Sequence, residues 1–201
     1  PLDVKKLDVD FLALSIHKMA GPTGMGVLYG KQHILEELPQ FLLGGETVLD
    51  STYESKEIAP LPDKFEAGLQ NYAGTMGAAA AAKYLKNIGL ENIHNHEIEL
   101  NKYITKKMEE FEGVTILGPK DPTKRGGIYT FTVDGVDSHE LSMLLDESAN
   151  IMMRAGAHCV HSWFNKHNIK ASIRASFYLY NTKEEIDVFI EKFRQILTFA
   201  R

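Results

Sequence analysis

Past Gly74 the spacing of apolar residues switches back and forth between the helical period and the strand period, and that alternation limits the fold more than any other feature of the chain. A repeat near 3.6 residues buries a stripe and a repeat of two buries a face, so a chain that alternates them packs helices on a sheet. The run Ala78 to Ala82 followed by Lys83-Tyr84-Leu85 predicts a helix that Gly89 ends. Leu100, Tyr103, Ile104, Met108 and Phe111 share one face of a second helix over 97–111. Strands are predicted at 114–117, 128–133, 151–154 and 172–176. Between them, Asp137-Ser138-His139-Glu140 caps a helix carrying Leu141, Leu144 and Leu145. Thr182 and Glu185 form a capping box ahead of Ile186, Phe189, Ile190, Phe193, Ile196 and Leu197, an amphipathic helix. The expected fold class is α/β.

The stretch before Gly74 is less regular. Residues 9–15 suit a buried strand that ends on a polar residue, Gly21-Pro22-Thr23-Gly24-Met25-Gly26 supplies turn residues, and 27–30 resume strand character. From 31 to 62 the pattern is irregular, with Pro39, Gly44-Gly45, Pro60 and Pro62 marking loops of the kind that serve function or an interface. The 201 residues leave room for one large domain or two small ones. The expected division is 1–84, the end of a larger domain with a linking helix, and 85–201, a small α/β domain. No internal repeat is visible, and the alanine run is the one low-complexity stretch.

Charge and cysteine content remove several classes of function. Twenty-two Lys and Arg against 27 Asp and Glu leave a net charge of -5, and no basic run exceeds two residues, so nucleic acid is not an expected partner. No apolar stretch approaches the roughly 20 residues of a membrane span, and the N-terminus lacks an apolar signal core. A single cysteine excludes an internal disulfide and a multi-cysteine metal site and agrees with a reducing compartment, the cytoplasm.

Two segments carry chemistry. Ser15-Ile16-His17-Lys18 ends a strand beside the glycine-rich loop and combines a hydroxyl, an imidazole and an amine. Such a lysine can form a Schiff base and such a pair can hold a phosphate, although a surface lysine in a tight turn has the same residue types. Cys159 stands in Arg154-Ala155-Gly156-Ala157-His158-Cys159, where Arg154 and His158 are near enough in sequence to favour a thiolate; most lone cysteines are instead small buried thiols. His158 receives no role, because neighbours in an extended segment face opposite ways. Arg174 lies in an alternating strand, either solvated, paired on a surface, or offering its planar fork to a carboxylate. Trp163 and Phe164 read as packing residues near the mouth of a site. His94, His96, His161 and His167 lack metal-ligand spacing and read as surface residues, so no metal is expected.

The pattern S-x-H-K-x-x-G-P-x-G-x-G-x-L-Y, from Ser15 to Tyr29, resembles the cofactor-lysine segment of class V (fold type I) pyridoxal-phosphate enzymes. The resemblance continues in order through Gly44-Gly45-Glu46, Phe65-Glu66-Ala67-Gly68, the Arg154 to Cys159 block and Arg174 to Thr182, nearly the whole chain. R-x-G-x-H-C followed by R-A-S-x-x-x-Y-N-T is most similar to group II (Suf-type) cysteine desulfurases and selenocysteine lyases. The resemblance implies pyridoxal 5'-phosphate as cofactor, Lys18 as the Schiff-base lysine, Ser15 and His17 on the cofactor phosphate, Cys159 as the residue that takes sulfur, and Arg174 with Arg154 on the carboxylate of L-cysteine. It implies a homodimer that passes sulfur to an acceptor or iron-sulfur scaffold protein. Another class V aminotransferase or a lyase, with Cys159 incidental, is the alternative enzyme, and a catalytically silent interaction half is the alternative without catalysis.

Two features depart from the family pattern. Leu69 stands where the family has a threonine that reaches the partner subunit's cofactor phosphate. Only 17 residues precede Lys18, whereas in the family a long preceding segment carries an aspartate for the pyridine nitrogen, a histidine that stacks on the ring and most of the phosphate loop. The expectation is therefore a C-terminal half with little activity alone, awaiting an N-terminal partner half.

Overall fold

The computed structural model describes residues 1–200, which fall into two units, 1–90 and 91–200. In the first unit, helix α1 (Val4–Leu7) is one turn, absent from the sequence expectations, whose Lys5 and Lys6 backbone N–H groups donate to Asp3. Strand β1 (Phe11–Ser15) pairs antiparallel with β2 (Gly26–Gly30), from Phe11↔Gly30 to Ser15↔Gly26. These two strands make a sheet of their own. With no further strand in this sheet, Phe11, Val27 and Leu28 stay exposed, so the strand read as buried is only partly covered here.

The strands are joined through a 3-10 turn, Ile16–Met19, pinned by the buried Ile16 side chain. Ile16 N–H donates to Met25 O at 3.0 Å and Gly21 N–H to Ile16 O at 3.2 Å, which closes the loop. Gly21 is required there: a Cβ would collide with the Ile16 side chain and stand 3.2 Å from Ala81 Cβ. Ala81 belongs to helix α3 (Tyr72–Ile88), which packs on this turn, accepts Asn71 as its N-cap and ends at Gly89 with φ 93°.

The stretch 31–62, read as irregular, contains helix α2 (Gln32–Glu37) and a hairpin of β3 (Val48–Ser51) with β4 (Lys56–Ile58). Strands of four and three residues with mostly exposed side chains show no alternation, which is why the pattern missed them. Much apolar surface of this unit is open, including Phe41 and Leu69, each 89% exposed.

The second unit is built on a four-stranded antiparallel sheet in the order β5-β6-β8-β7, comprising β5 (Val114–Ile116), β6 (Ile128–Val133), β7 (Arg154–Gly156) and β8 (Ser172–Ser176). Tyr129, Phe131 and Val133 alternate inward along β6. They meet Leu100, Ile104 and Met108 of α4 (Leu90–Met108), Leu141 and Leu145 of α5 (Ser138–Ala149), and the apolar stripe of α7 (Lys183–Ala200). Phe131 is fully enclosed, its ring edge-on to Phe193 at 5.8 Å. The capping box on α7 is formed: Thr182 N–H donates to Glu185 at 2.9 Å and Glu185 N–H to Thr182 Oγ1 at 3.3 Å.

Several expectations change in this unit. Helix α4 starts at Leu90 and stops at Met108; its first turns are mostly polar, with the buried Ile93 as their one core contact, and beyond its end the chain turns through Gly113 at φ 74°. Leu144 is exposed although its neighbours Leu141 and Leu145 are buried. Strand β7 begins at Arg154, not Ile151, because the Met153 carbonyl accepts from Ser142 Oγ at 2.8 Å and is drawn away from the ladder. Helix α6 (His161–Lys166), six residues long, went unread.

Candidate active site

The lysine segment forms the 3-10 turn between β1 and β2. Ser15 is its N-cap in extended conformation, yet the Ser15 hydroxyl makes no capping bond. His17 and Lys18 are exposed on the turn, and three residues per turn bring Lys18 round to the side of Ser15. Neither Ser15, His17 nor Lys18 has a side-chain hydrogen bond or ion pair with another described residue. Lys31, the nearest rival amine, is held by Asp8 at 2.9 Å and Asp10 at 3.0 Å. Hydrogen bonds to Asp8 and then Asp10 raise its pKa above the ordinary lysine value, so it is a committed cation.

Pyridoxal phosphate requires an amine to attach to and donors for its phosphate. An unengaged amine, hydroxyl and imidazole on one glycine-bordered turn are of those types, so the residues present fit the group. Leu69, fully apolar and exposed, brings no hydroxyl. Its neighbours do not substitute for one, since Gln70 donates to Glu66 O and Asn71 caps α3.

The cysteine segment lies in the second unit, at the end of β7. After Gly156 the chain turns over Ala157 to Val160, closed by Val160 N–H to Ala157 O at 2.9 Å, with His158 at φ 48° and Cys159 at φ 64°. Two positive φ values in the centre are the pattern of a type I′ turn, which selects Asn, Asp and Gly. Placing a side-chain-bearing residue in that region costs roughly 1–2 kcal/mol. The expectation that 158 and 159 are extended neighbours facing opposite ways is therefore corrected: they form the apex of a strained turn.

Cys159 is exposed, not a buried thiol, and the Arg154 guanidinium donates to its sulfur at 3.3 Å. Arg174 sits directly across the ladder from Arg154, half-buried, with an Nε–H that is shielded from solvent and has no partner. Two cations opposite each other repel, and an orphaned guanidinium N–H asks for an acceptor; a carboxylate answers both. The structure thus gathers Arg154, Cys159 and Arg174 in the second unit and Ser15, His17 and Lys18 on one turn of the first.

His158 is the residue that sequence reasoning passed over. Its Nε2 shares a 2.9 Å hydrogen bond with Ser172 Oγ, and its ring stands edge-on to Phe164 at 5.9 Å. Burial, then the Arg174 and Arg154 cations, push its pKa below the ordinary imidazole value. The available signal was Gly156 two residues before His-Cys, a place where a turn is as natural as a strand. Ser172 gave none, since a serine opening a strand is commonplace. Phe164 packs as expected, while Trp163 stacks on His167 at 4.1 Å. His96, read as a surface residue, is half-buried and bonds the Asn181 carbonyl at 2.9 Å.

Residues 1–189 match the family model described as Aminotransferase class-V. A cysteine desulfurase from Haloferax volcanii is 45% identical over 191 residues, covering 95% of this chain and 44% of that protein. A probable cysteine desulfurase from Streptomyces coelicolor is 42% identical, covering 99% of this chain and 47% of its own length. Among solved structures, a cysteine desulfurase from Thermococcus onnurineus NA1 aligns with a TM-score of 0.93 at 37% identity, over 97% of this chain and 48% of that one. One from Escherichia coli aligns with a TM-score of 0.92 at 32% identity, over 99% and 49%. The chain spans about half the length of the curated relatives it matches. With the lysine turn, the cysteine turn and nearly the full sequence aligned to one family, the chain belongs to the class-V aminotransferases.

Proposed function

We propose that this chain carries the lysine, cysteine and carboxylate-binding residues of a pyridoxal-phosphate-dependent cysteine desulfurase of the group II type, which turns L-cysteine into L-alanine and leaves its sulfur on Cys159. The observation that carries this reading is the exposed Cys159 sulfur in contact with Arg154, beside an Arg174 whose shielded N–H lacks an acceptor. Its similarity to proteins named cysteine desulfurase supports the same reading.

When bound, pyridoxal phosphate supplies an aldehyde for amines and a ring that withdraws electrons from the substrate Cα. Ser15 and His17 hold its phosphate and Lys18 anchors it covalently. Arg174, aided by Arg154, fixes the substrate carboxylate. With substrate bound, the Lys18 amine would take the Cα proton and later return it to Cα. The Cys159 sulfur then attacks the substrate sulfur: an S–S bond forms, the Cβ–S bond breaks, its electron pair goes to the carbon side, and Cβ takes up a proton. Cys159 is left as a persulfide, whose exposure suits transfer to a sulfur-acceptor or iron-sulfur scaffold protein. The open apolar residues Phe41, Leu42, Leu43 and Leu69 suit a homodimer contact, and an exposed lone thiol suits the cytoplasm.

Product analysis tests the proposal. Cysteine fed to the full-length, cofactor-loaded enzyme that carries this chain should give alanine equal to the sulfur released. Pyruvate with ammonia in place of alanine would mean an elimination lyase and would overturn it.

A further inference from the structure

We propose that His158 is a positioning residue: its hydrogen bond to Ser172 latches the left-handed turn that presents the Cys159 sulfur beside Arg154. This rests on the reading of Cys159 as the sulfur acceptor.

The turn is in a conformation its residues do not favour. Cys159 at φ 64° follows His158 at φ 48°, and one backbone bond, Val160 to Ala157, closes them. A single such bond at an exposed apex is a weak restraint. What makes the apex rigid is its side chains. His158 reaches back to Ser172, which is wholly buried at the start of β8 and pairs in register with Gly156, the last residue before the turn. The ring also packs on Phe164 at 5.9 Å between centroids, buried in the helix that follows the turn. One imidazole therefore ties the apex to the strand beside it and to the helix after it.

Release of that tie lets both residues relax toward negative φ, and the sulfur leaves the Arg154 guanidinium now 3.3 Å away. Cys159 is exposed already, so release adds no access; it removes only the cation that supports a nucleophilic sulfur. The latch thus acts on reactivity, not on substrate binding, which belongs to Arg174 and Lys18.

Alkylation of Cys159 by iodoacetamide at fixed pH, followed by mass spectrometry on the whole chain, reads this directly. His158→Asn accepts a left-handed backbone but is too short to reach Ser172, and should slow alkylation roughly 3- to 10-fold, the worth of one hydrogen bond. Ser172→Ala should do the same, and the double variant should be no slower than either single one, since both break one interaction. His158→Gln, which places an amide where Nε2 was, should restore the parent rate to within about twofold. In cysteine turnover His158→Asn and Ser172→Ala should lower kcat and leave KM unchanged, while His158→Gln keeps the parent kcat. Parent-rate alkylation in His158→Asn, or full additivity in the double variant, overturns the latch; should Ser172→Ala fail to fold, the Asn and Gln variants decide alone. Alkylation needs no cofactor or substrate. A parent protein that makes no persulfide but shows the variant pattern therefore refutes the desulfurase reading and supports the latch.

Discussion

Replacing Arg174 by glutamine should move activity and stability in opposite directions. In the native chain Arg174 stands opposite Arg154 in the β7–β8 ladder, and its shielded Nε–H lacks an acceptor. Both features cost the empty protein. Removing one of two facing like charges relieves roughly 0.2–1 kcal/mol, and removing an orphaned N–H relieves more. Arg174→Gln should therefore melt at the parent temperature or above it. The substrate carboxylate meanwhile loses a charge-assisted hydrogen bond worth about 1.5–3 kcal/mol, which is about 10- to 150-fold in kcat/KM. The loss should fall mainly on KM for cysteine, because the carboxylate is bound alike before and during reaction. Thermal melts and initial rates of sulfide release across cysteine concentrations measure both quantities. A variant that melts well below the parent while keeping its KM would show that Arg174 is a structural residue and would refute the charge argument.

Lys18→Ala should abolish the borohydride-reducible pyridoxyl adduct, and the parent adduct should map to the Lys18 peptide and not to Lys31, which Asp8 and Asp10 hold as a cation. His158 is held below the ordinary imidazole value, 6.5, by burial and by Arg174 and Arg154. The unfolded chain therefore binds more protons just below that value, so stability is full above it and falls as pH drops through and below about 6.5, a loss that His158→Gln should flatten in melts from pH 8 to pH 5. Phe131→Ala, emptying the middle of the second unit's core, should cost about 3–5 kcal/mol in denaturant unfolding.

What the sequence made legible follows from which patterns are local. Helix α7 was readable to its capping box because Thr182, Glu185 and six apolar residues all report one periodicity. The β6 alternation was readable because one face is truly buried. The β3–β4 hairpin was not, because neither face of it is buried and no side-chain pattern records it. The site divides in the same way. Lys18 and Cys159 stand in blocks whose residue types announce chemistry, and Arg174 was named for its fork. The turn geometry at His158 and Cys159 was hidden, since positive φ at non-glycine residues is enforced from outside the segment, by Ser172 and Phe164, and leaves no mark in the local sequence. His96 was misjudged for a related reason: its partner, the Asn181 carbonyl, is 85 residues away.

The central claim is that Cys159 takes the sulfur. The most direct measurement treats the full-length, cofactor-loaded enzyme that carries this chain with cysteine and weighs the peptide containing Cys159, beside sulfide release from the parent and from Cys159→Ala. The account predicts the mass of one added sulfur on that peptide, removed by a reducing agent, and no sulfide from Cys159→Ala, which still binds cysteine through Lys18 and Arg174. Sulfide released by Cys159→Ala at the parent rate, with no sulfur found on the parent peptide, would contradict it.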